Sequence, residues 1–361
     1  MQRKHIFNAG PAALPQEVLR EVQDNLLNYD GSGMSILEMS HRSQSFQSII
    51  DDAEASLRRL LKIPARYRVL FLQGGATLQF AGIPLNLMKT GQAGYVISGN
   101  FAKKAWQEAQ KYGEAHVLAS TEQLNFAQLP TLADIEGAAA LQPLDYVYMC
   151  LNNTIFGTAF YELPYLGNTP LVADVSSCFL SAPFDIERFD LLYAGAQKNA
   201  GPAGVTIVIV RDELIAKGAA RADICPSYMN YHIQAQQGSL YNTPNTFGIY
   251  VAGLVFRWIE QFGGLEAIAA HNRAKARALY DFLDSSPCFY GTAEKNSRSW
   301  MNVTFRAQDD ALEAAVLAGA DAAGIVGIRG HRLVGGMRAS LYNAVSMESV
   351  QALINYLKSF E

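Results

Sequence analysis

The sequence predicts an α/β protein, a sheet covered on both faces by helices, followed by a smaller α+β unit. From about residue 15 the chain alternates segments of 3.6-residue apolar period with short β-branched runs, the pattern of a layered α/β sheet. Several of those runs are apolar without interruption, which suits strands hidden on both faces. After about residue 245 the texture changes to long helical patterns. With 361 residues, half of them apolar, the chain can bury a large core, and its length favours two domains. The expected division is 16–258 and 259–361, with residues 1–15 packing on the second unit.

In order along the chain, SFQSIIDDAEASLRRLLKI places Phe46, Ile49, Ile50, Ala53, Leu57, Leu60 and Leu61 on one helical face. Strands are expected at 68–73, 95–99, 115–120, 146–151, 171–176, 191–196 and 205–210. FGIYVAGLVFRWIEQF and LEAIAAHNRAKARALYDFLDSS read as two long helices, followed by a few strands and two more helices. The last helix, in SMESVQALINYLKSF, has Ser346 as its N-cap and Glu348 in its first turn, where a carboxylate favours the helix dipole.

Composition excludes several classes of function. Lysine and arginine total 29 against 33 acids, for a net charge of -4, with no run of like charge suited to nucleic acid or a membrane surface. The cysteines at 150, 178, 225 and 288 stand singly, without the spacing of a zinc site or a disulfide framework. Gly10, Pro11 and Pro15 interrupt the only N-terminal stretch resembling a signal core, and no apolar run reaches a bilayer-spanning length of about 18 residues. A cytoplasmic protein with free thiols, no metal and no membrane or nucleic-acid partner is expected.

The residues that could carry chemistry begin with Lys198, in a glycine-rich turn between two apolar strands. Burial disfavours its ammonium form, which would make it a Schiff-base nucleophile. A lysine snorkelling to solvent from a strand end is the ordinary alternative. Asp174 ends an apolar run 24 residues earlier, room for one connection and one strand, so the two can sit on adjacent strand ends. Such ends are where α/β sheets bind ligands. In a pyridoxal-phosphate site an acid there pairs with the protonated pyridine nitrogen; alone, it could simply cap a turn. FLQGGATLQF runs from a strand through Gly74 and Gly75 into a helix beginning near Thr77, a phosphate seat made of free backbone N–H groups. A plain tight turn accounts for it as well, and it is neither a P-loop nor a dinucleotide fingerprint. The basic clusters His41–Arg42 and Arg329, His331, Arg332 and Arg338 suit anionic substrate groups, or are solvated loop charge.

Together these stretches resemble the phosphoserine aminotransferase family, a class V branch of the fold-type-I pyridoxal-phosphate enzymes. The resemblance runs through FNAGPAALP, SHRS, QGGATLQF, NNTIFGT, ADVSS, AGAQKNAGPAG, YNTPNTF and GHRLVGGMRASLYNA. It implies a mostly parallel seven-stranded sheet in a large domain and a smaller C-terminal α+β domain. By the same resemblance, Lys198 is the Schiff-base residue and Asp174 the partner of the pyridine nitrogen. Gln197 and the backbone of Ala76 and Thr77 hold the phosphate, and Thr154 bonds the cofactor's 3′-oxygen. Asn242 and Thr243 reach the phosphate of the neighbouring subunit's cofactor in a homodimer with shared sites. Arg338 is the α-carboxylate clamp, and His41, Arg42, His331 and Arg332 hold the distal anion. Phe101 stands where the family commonly has a tryptophan stacked on the cofactor, and Phe156 where it often has a polar residue.

The implied reaction moves an amino group from L-glutamate to 3-phosphohydroxypyruvate, giving O-phospho-L-serine and 2-oxoglutarate in serine biosynthesis. Two other enzymes of the same branch remain open: an alanine–glyoxylate aminotransferase, against which the basic clusters argue, and a cysteine desulfurase using Cys225. A non-catalytic phosphate-ligand-binding protein is a further alternative, but it leaves Lys198 and Asp174 unexplained.

Overall fold

The computed structural model describes residues 3–361. Strand β1 (His5–Ile6) and helices α1 (Gln16–Asn25) and α2 (Gln44–Leu61) open the chain. Then β2 (Tyr67–Leu72), α3 (Gly75–Leu87), β3 (Gln92–Ile97), α4 (Asn100–Ala109), β4 (Glu114–Ser120) and α5 (Leu132–Ala139) alternate. Next come β5 (Val147–Cys150), a hairpin of β6 (Asn152–Asn153) and β7 (Thr158–Ala159), β8 (Leu171–Asp174), β9 (Leu191–Gly195) and β10 (Thr206–Arg211). Helices α6 (Asp212–Ile215), α7 (Tyr231–Gln236), α8 (Thr246–Gln261) and α9 (Gly264–Ser285) follow. The chain ends with β11 (Phe289–Gly291), β12 (Asn302–Ala307), α10 (Asp310–Gly319), β13 (Ile325–Val326), β14 (Met337–Ser340) and α11 (Met347–Lys358).

The seven expected strands form one sheet in the order β2-β10-β9-β8-β5-β3-β4. Their ends differ from the sequence reading by up to three residues. Only β10 runs antiparallel to its neighbours. Because Thr206 pairs with both Leu72 and Gly195, β10 starts at the edge where the parallel strands finish. That edge therefore gathers the segments following β2, β3, β5, β8 and β9.

Uninterrupted apolar runs are explained by two cores, one on each face. Val69, Phe71, Met149, Ala173, Leu192 and Ile207 enter one core, while their neighbours Leu70, Leu72, Tyr148, Val172, Leu191 and Val208 enter the other. On the first face α2 packs along α8. Its start is set by Ser43, whose hydroxyl accepts from Phe46 N, and its apolar stripe is buried except for the partly covered Leu60. Helix α11 begins as expected, with Ser346 Oγ accepting from Ser349 N at 3.1 Å.

A third core lies between α9, α11 and the sheet of β11, β12 and β14, and it includes Phe7. Strand β1 pairs in parallel with β13, His5 opposite Ile325. The division expected at residue 258 falls inside α8, whose Ile259 still belongs to the first core. We propose that the two units part instead at the turn of Gly263 and Gly264, both in left-handed conformation at φ 110° and 76°. Among the described residues no helix is long and apolar enough to cross a membrane.

Candidate active site

Lys198 sits in the loop joining β9 to β10, closed at its base by Ala196 N donating to Val205 O at 2.9 Å. The loop lies so close on α8 that a Cβ at Gly201 would stand 3.2 Å from Ala252. Lys198 Nζ donates to Thr154 Oγ1 at 2.9 Å. Burial lowers its ammonium pKa from the ordinary value of 10.5, while the Asp174 carboxylate opposes that shift. Asp174 ends β8, paired in register with Tyr193 of β9, so the expected adjacency of lysine and aspartate is real. The carboxylate is 5% exposed. Its Oδ1 accepts from Ser176 N at 2.8 Å and its Oδ2 from Tyr193 OH at 3.1 Å.

Tyr193 is in turn bonded to Tyr148 through their hydroxyls at 2.8 Å. Burial first, and Asp174 second, push both phenols well above their ordinary pKa. Both therefore stay protonated. A buried carboxylate with two neutral donors still lacks a cation in direct contact, an expensive arrangement unless a positive group docks there.

At the neighbouring strand end, Gly74 and Gly75 adopt left-handed φ of 91° and 69°. A Cβ at Gly74 would fall 2.3 Å from Leu78 Cδ2. Helix α3 starts at Gly75, two residues before the start expected at Thr77. Ala76 and Thr77 thus lie in its first turn, where backbone N–H groups have no intrahelical acceptor and meet an anion favourably. Gln73 ties this turn to the segment holding Asn242 and Thr243, its Nε2 donating to Thr243 O at 2.8 Å. Asn242 and Thr243 are themselves exposed. Gly74→Ala is expected to cost about 1–2 kcal/mol, the strain of a left-handed non-glycine residue; a urea midpoint equal to the parent's would show that the turn relaxes freely.

Thr154 opens the tight loop of the β6–β7 hairpin and joins two basic side chains. Its hydroxyl accepts from Lys198, and its carbonyl accepts from Arg338 Nη1 at 3.0 Å. Arg338, on β14, is 9% exposed, and its Nε has no partner. Phe101, in the first turn of α4, sets its ring 5.3 Å from Lys198 Nζ. Arg338, His331, Ile155 and Phe156 share a cleft of about 610 Å³, in which the Phe156 ring meets Phe126 at 4.8 Å. Burial, then the charges of Arg338, Arg332 and Lys104, lower the His331 pKa below 6.5; of these four residues His331 and Arg338 line the cleft, together with Arg306 and Glu122. His41 and Arg42, in the turn before α2, do not line this cleft; Gln197, beside the lysine, is half-buried.

Sequence reasoning missed Tyr193, Ser176 and Lys104. Tyr193 reads as one more core residue in an apolar strand, so no local signal marks it. Lys104 follows Phe101 by three residues on a helix, the spacing of one face, and that spacing was the available clue. Burial raises the Cys225 thiol pKa, the opposite of what a reactive thiol needs.

The donor set fits pyridoxal phosphate. There is a lysine amine of lowered basicity for an aldehyde, a buried carboxylate for a pyridinium nitrogen and a helix N-terminus for phosphate. A hydroxyl for the 3′-oxygen and an aromatic face complete it. The Aminotransferase class-V family matches residues 5–353. A phosphoserine aminotransferase of Bacillus cereus is 51% identical over all of this chain and 99% of its own length. The structure of phosphoserine aminotransferase from Bacillus circulans subsp. alkalophilus superposes with a TM-score of 0.96 at 46% identity, covering 100% and 99% of the two chains. A PLP-bound phosphoserine aminotransferase from Trichomonas vaginalis gives 0.91 at 35% identity, covering 99% of this chain and 100% of its own. The chain therefore belongs to the class-V aminotransferases, within the phosphoserine aminotransferase family.

Proposed function

We propose that this protein binds pyridoxal phosphate at Lys198 and transfers the amino group of L-glutamate to 3-phosphohydroxypyruvate, giving 2-oxoglutarate and O-phospho-L-serine. The observation that carries the reading is the line of contacts from Arg338 through Thr154 to Lys198. A substrate α-carboxylate held on Arg338 has its Cα brought toward an amine of depressed basicity. When bound, the cofactor supplies an aldehyde for the amino group and an electron-poor ring that takes up the charge left on Cα.

Lys198 Nζ, once free, removes the Cα proton and holds it for the second transfer, as a general base whose pKa lies closer to neutrality than an ordinary lysine's. Asp174 keeps a positive charge on the ring nitrogen. Ala76, Thr77 and Gln197 hold the cofactor phosphate, and Thr154 orients the ring. Phe101 covers one face of the ring. His331 and Arg332, with Lys104 beside them, receive the distal phosphate of one substrate and the distal carboxylate of the other. One set of cations thereby serves both half-reactions.

A homodimer completes the site. Asn242 and Thr243, exposed in their own chain, reach the cofactor phosphate of the second copy, and the absence of His41 and Arg42 from the cleft of their own chain supports a shared site.

The test is a half-reaction followed by the change of the visible cofactor band. Phosphoserine should react at least about a hundredfold more efficiently than serine or alanine, a difference on the order of 3 kcal/mol and that of one desolvated charge pair. Equal reaction of all three would remove the anion clamps from the reading. A protein that stays colourless with pyridoxal phosphate would point instead to a phosphate-binding role without catalysis.

A further inference from the structure

Two of the motifs above contain an asparagine that the reaction does not use: Asn199, directly after Lys198, and Asn343, near the end of the Arg338 segment. Both are buried, at 7% and 3% exposure, and a third, Asn272 on α9, is fully buried. Their side-chain amides donate to three consecutive carbonyls of the turn that follows Asp174. Asn199 Nδ2 reaches Phe179 O at 2.7 Å, Asn343 Nδ2 reaches Leu180 O at 2.8 Å, and Asn272 Nδ2 reaches Ser181 O at 3.0 Å.

The asparagines are also tied to one another. Asn343 N donates to Asn199 Oδ1 at 2.9 Å, and Asn272 Nδ2 to Asn343 Oδ1 at 2.8 Å. Leu180 is held at φ 59°, a left-handed conformation that a branched residue adopts only when its surroundings impose it. One turn beyond Asn272, the fully buried Lys275 donates to the carbonyls of Leu341, Tyr342 and Val345 at 2.8 to 3.0 Å. The segment after β14 is thus fastened to α9 on one side and to the lysine loop on the other.

We infer that Asn199, Asn343 and Asn272 are a staple holding three chain segments in one register, those bearing Asp174, Lys198 and Arg338. They are positioning residues, setting the distance between the proton-transferring amine and the carboxylate clamp. The three segments come from separate parts of the chain, and β14 belongs to a different sheet from β8 and β9, so backbone pairing alone does not fix that distance. Proton transfer is sensitive to such placement: a displacement of about 1 Å can cost a hundredfold. The inference rests on the assignment of Lys198 and Arg338 proposed above.

The experiment compares Asn199→Ala, Asn343→Ala and Asn272→Ala with the parent in two ways. With cofactor bound, steady-state transamination should show kcat reduced about tenfold to a hundredfold, with KM for phosphoserine within about threefold because the anion contacts persist. In the cofactor-free proteins, trace acetylation across pH, read by mass spectrometry at Lys198, gives the titration midpoint of its amine. That midpoint should rise in each variant, since a loosened loop admits water to the ammonium. The charged and thiol groups facing Lys198, namely Asp174, Arg338, Cys150 and Cys178, are unchanged in all three variants.

A purely structural role would lower the melting temperature yet leave kcat and the midpoint at parental values, and that result overturns the staple. Should Asn199→Ala fail to fold, Asn199→Ser, which removes the amide donor to Phe179 O without adding charge, must show the same directions. If the parent does not transaminate phosphoserine, the functional reading fails, while the cofactor-free labelling still decides the staple.

Discussion

Lys198→Ala should abolish transamination, with turnover falling on the order of 10⁴-fold or more, the upper range for loss of a positioned acid–base group. The same variant should not retain cofactor covalently after borohydride treatment and denaturation, because the reducible link to the protein is gone. Its folding should not suffer. The Lys198 ammonium is penalised by burial, and its pKa is lowered from 10.5. The folded state therefore binds fewer protons than the unfolded state between the lowered pKa and 10.5, and stability of the cofactor-free parent rises with pH across that window. The penalty is complete below the lowered pKa and gone above 10.5. Cofactor-free Lys198→Ala should accordingly gain on its parent at neutral pH and lose that advantage toward pH 10.5, as read by urea unfolding at several pH values. Near-parental turnover by Lys198→Ala would overturn the assignment of the lysine.

The second large effect is expected at Asp174. Asp174→Asn preserves shape and the acceptor for Ser176 N, yet removes the carboxylate whose charge acts on the lysine. Loss of one partner of a buried pair costs about 3–5 kcal/mol, which in the transition state corresponds to roughly a hundredfold to several thousandfold in kcat. Lys198 should respond as well. The Asp174 charge raises the lysine pKa, so the acetylation midpoint of Lys198 in cofactor-free Asp174→Asn should fall further, opposite to the staple variants. Unchanged kcat with an unchanged midpoint would show that Asp174 serves only the turn at Ser176.

Much of this was readable without coordinates because burial leaves a local imprint. The strands covered on both faces read as unbroken apolar runs, and residues such as Phe71 and Leu72 then went to opposite cores. The cap at Ser346 and the glycines at 74 and 75 announce themselves through requirements of backbone chemistry. Tyr193 gave no such signal, because a phenol whose hydroxyl meets Asp174 across a strand pair has the same sequence pattern as a tyrosine that only packs. Lys104 follows Phe101 by three residues, but its value depends on His331, which is more than two hundred residues away.

Periodicity and residue type established the α/β class and the seven strands of the main sheet, and they brought Lys198 and Asp174 forward as candidates. Each depends on periodicity or on residue types within one short stretch. Tertiary structure alone decided that β10 is reversed among parallel neighbours, that Thr154 bridges Lys198 to Arg338, and that three asparagines grip successive carbonyls behind them. Those facts depend on strand order and on long-range hydrogen bonds. Their energies are set by which distant groups are buried together, and no local pattern records that.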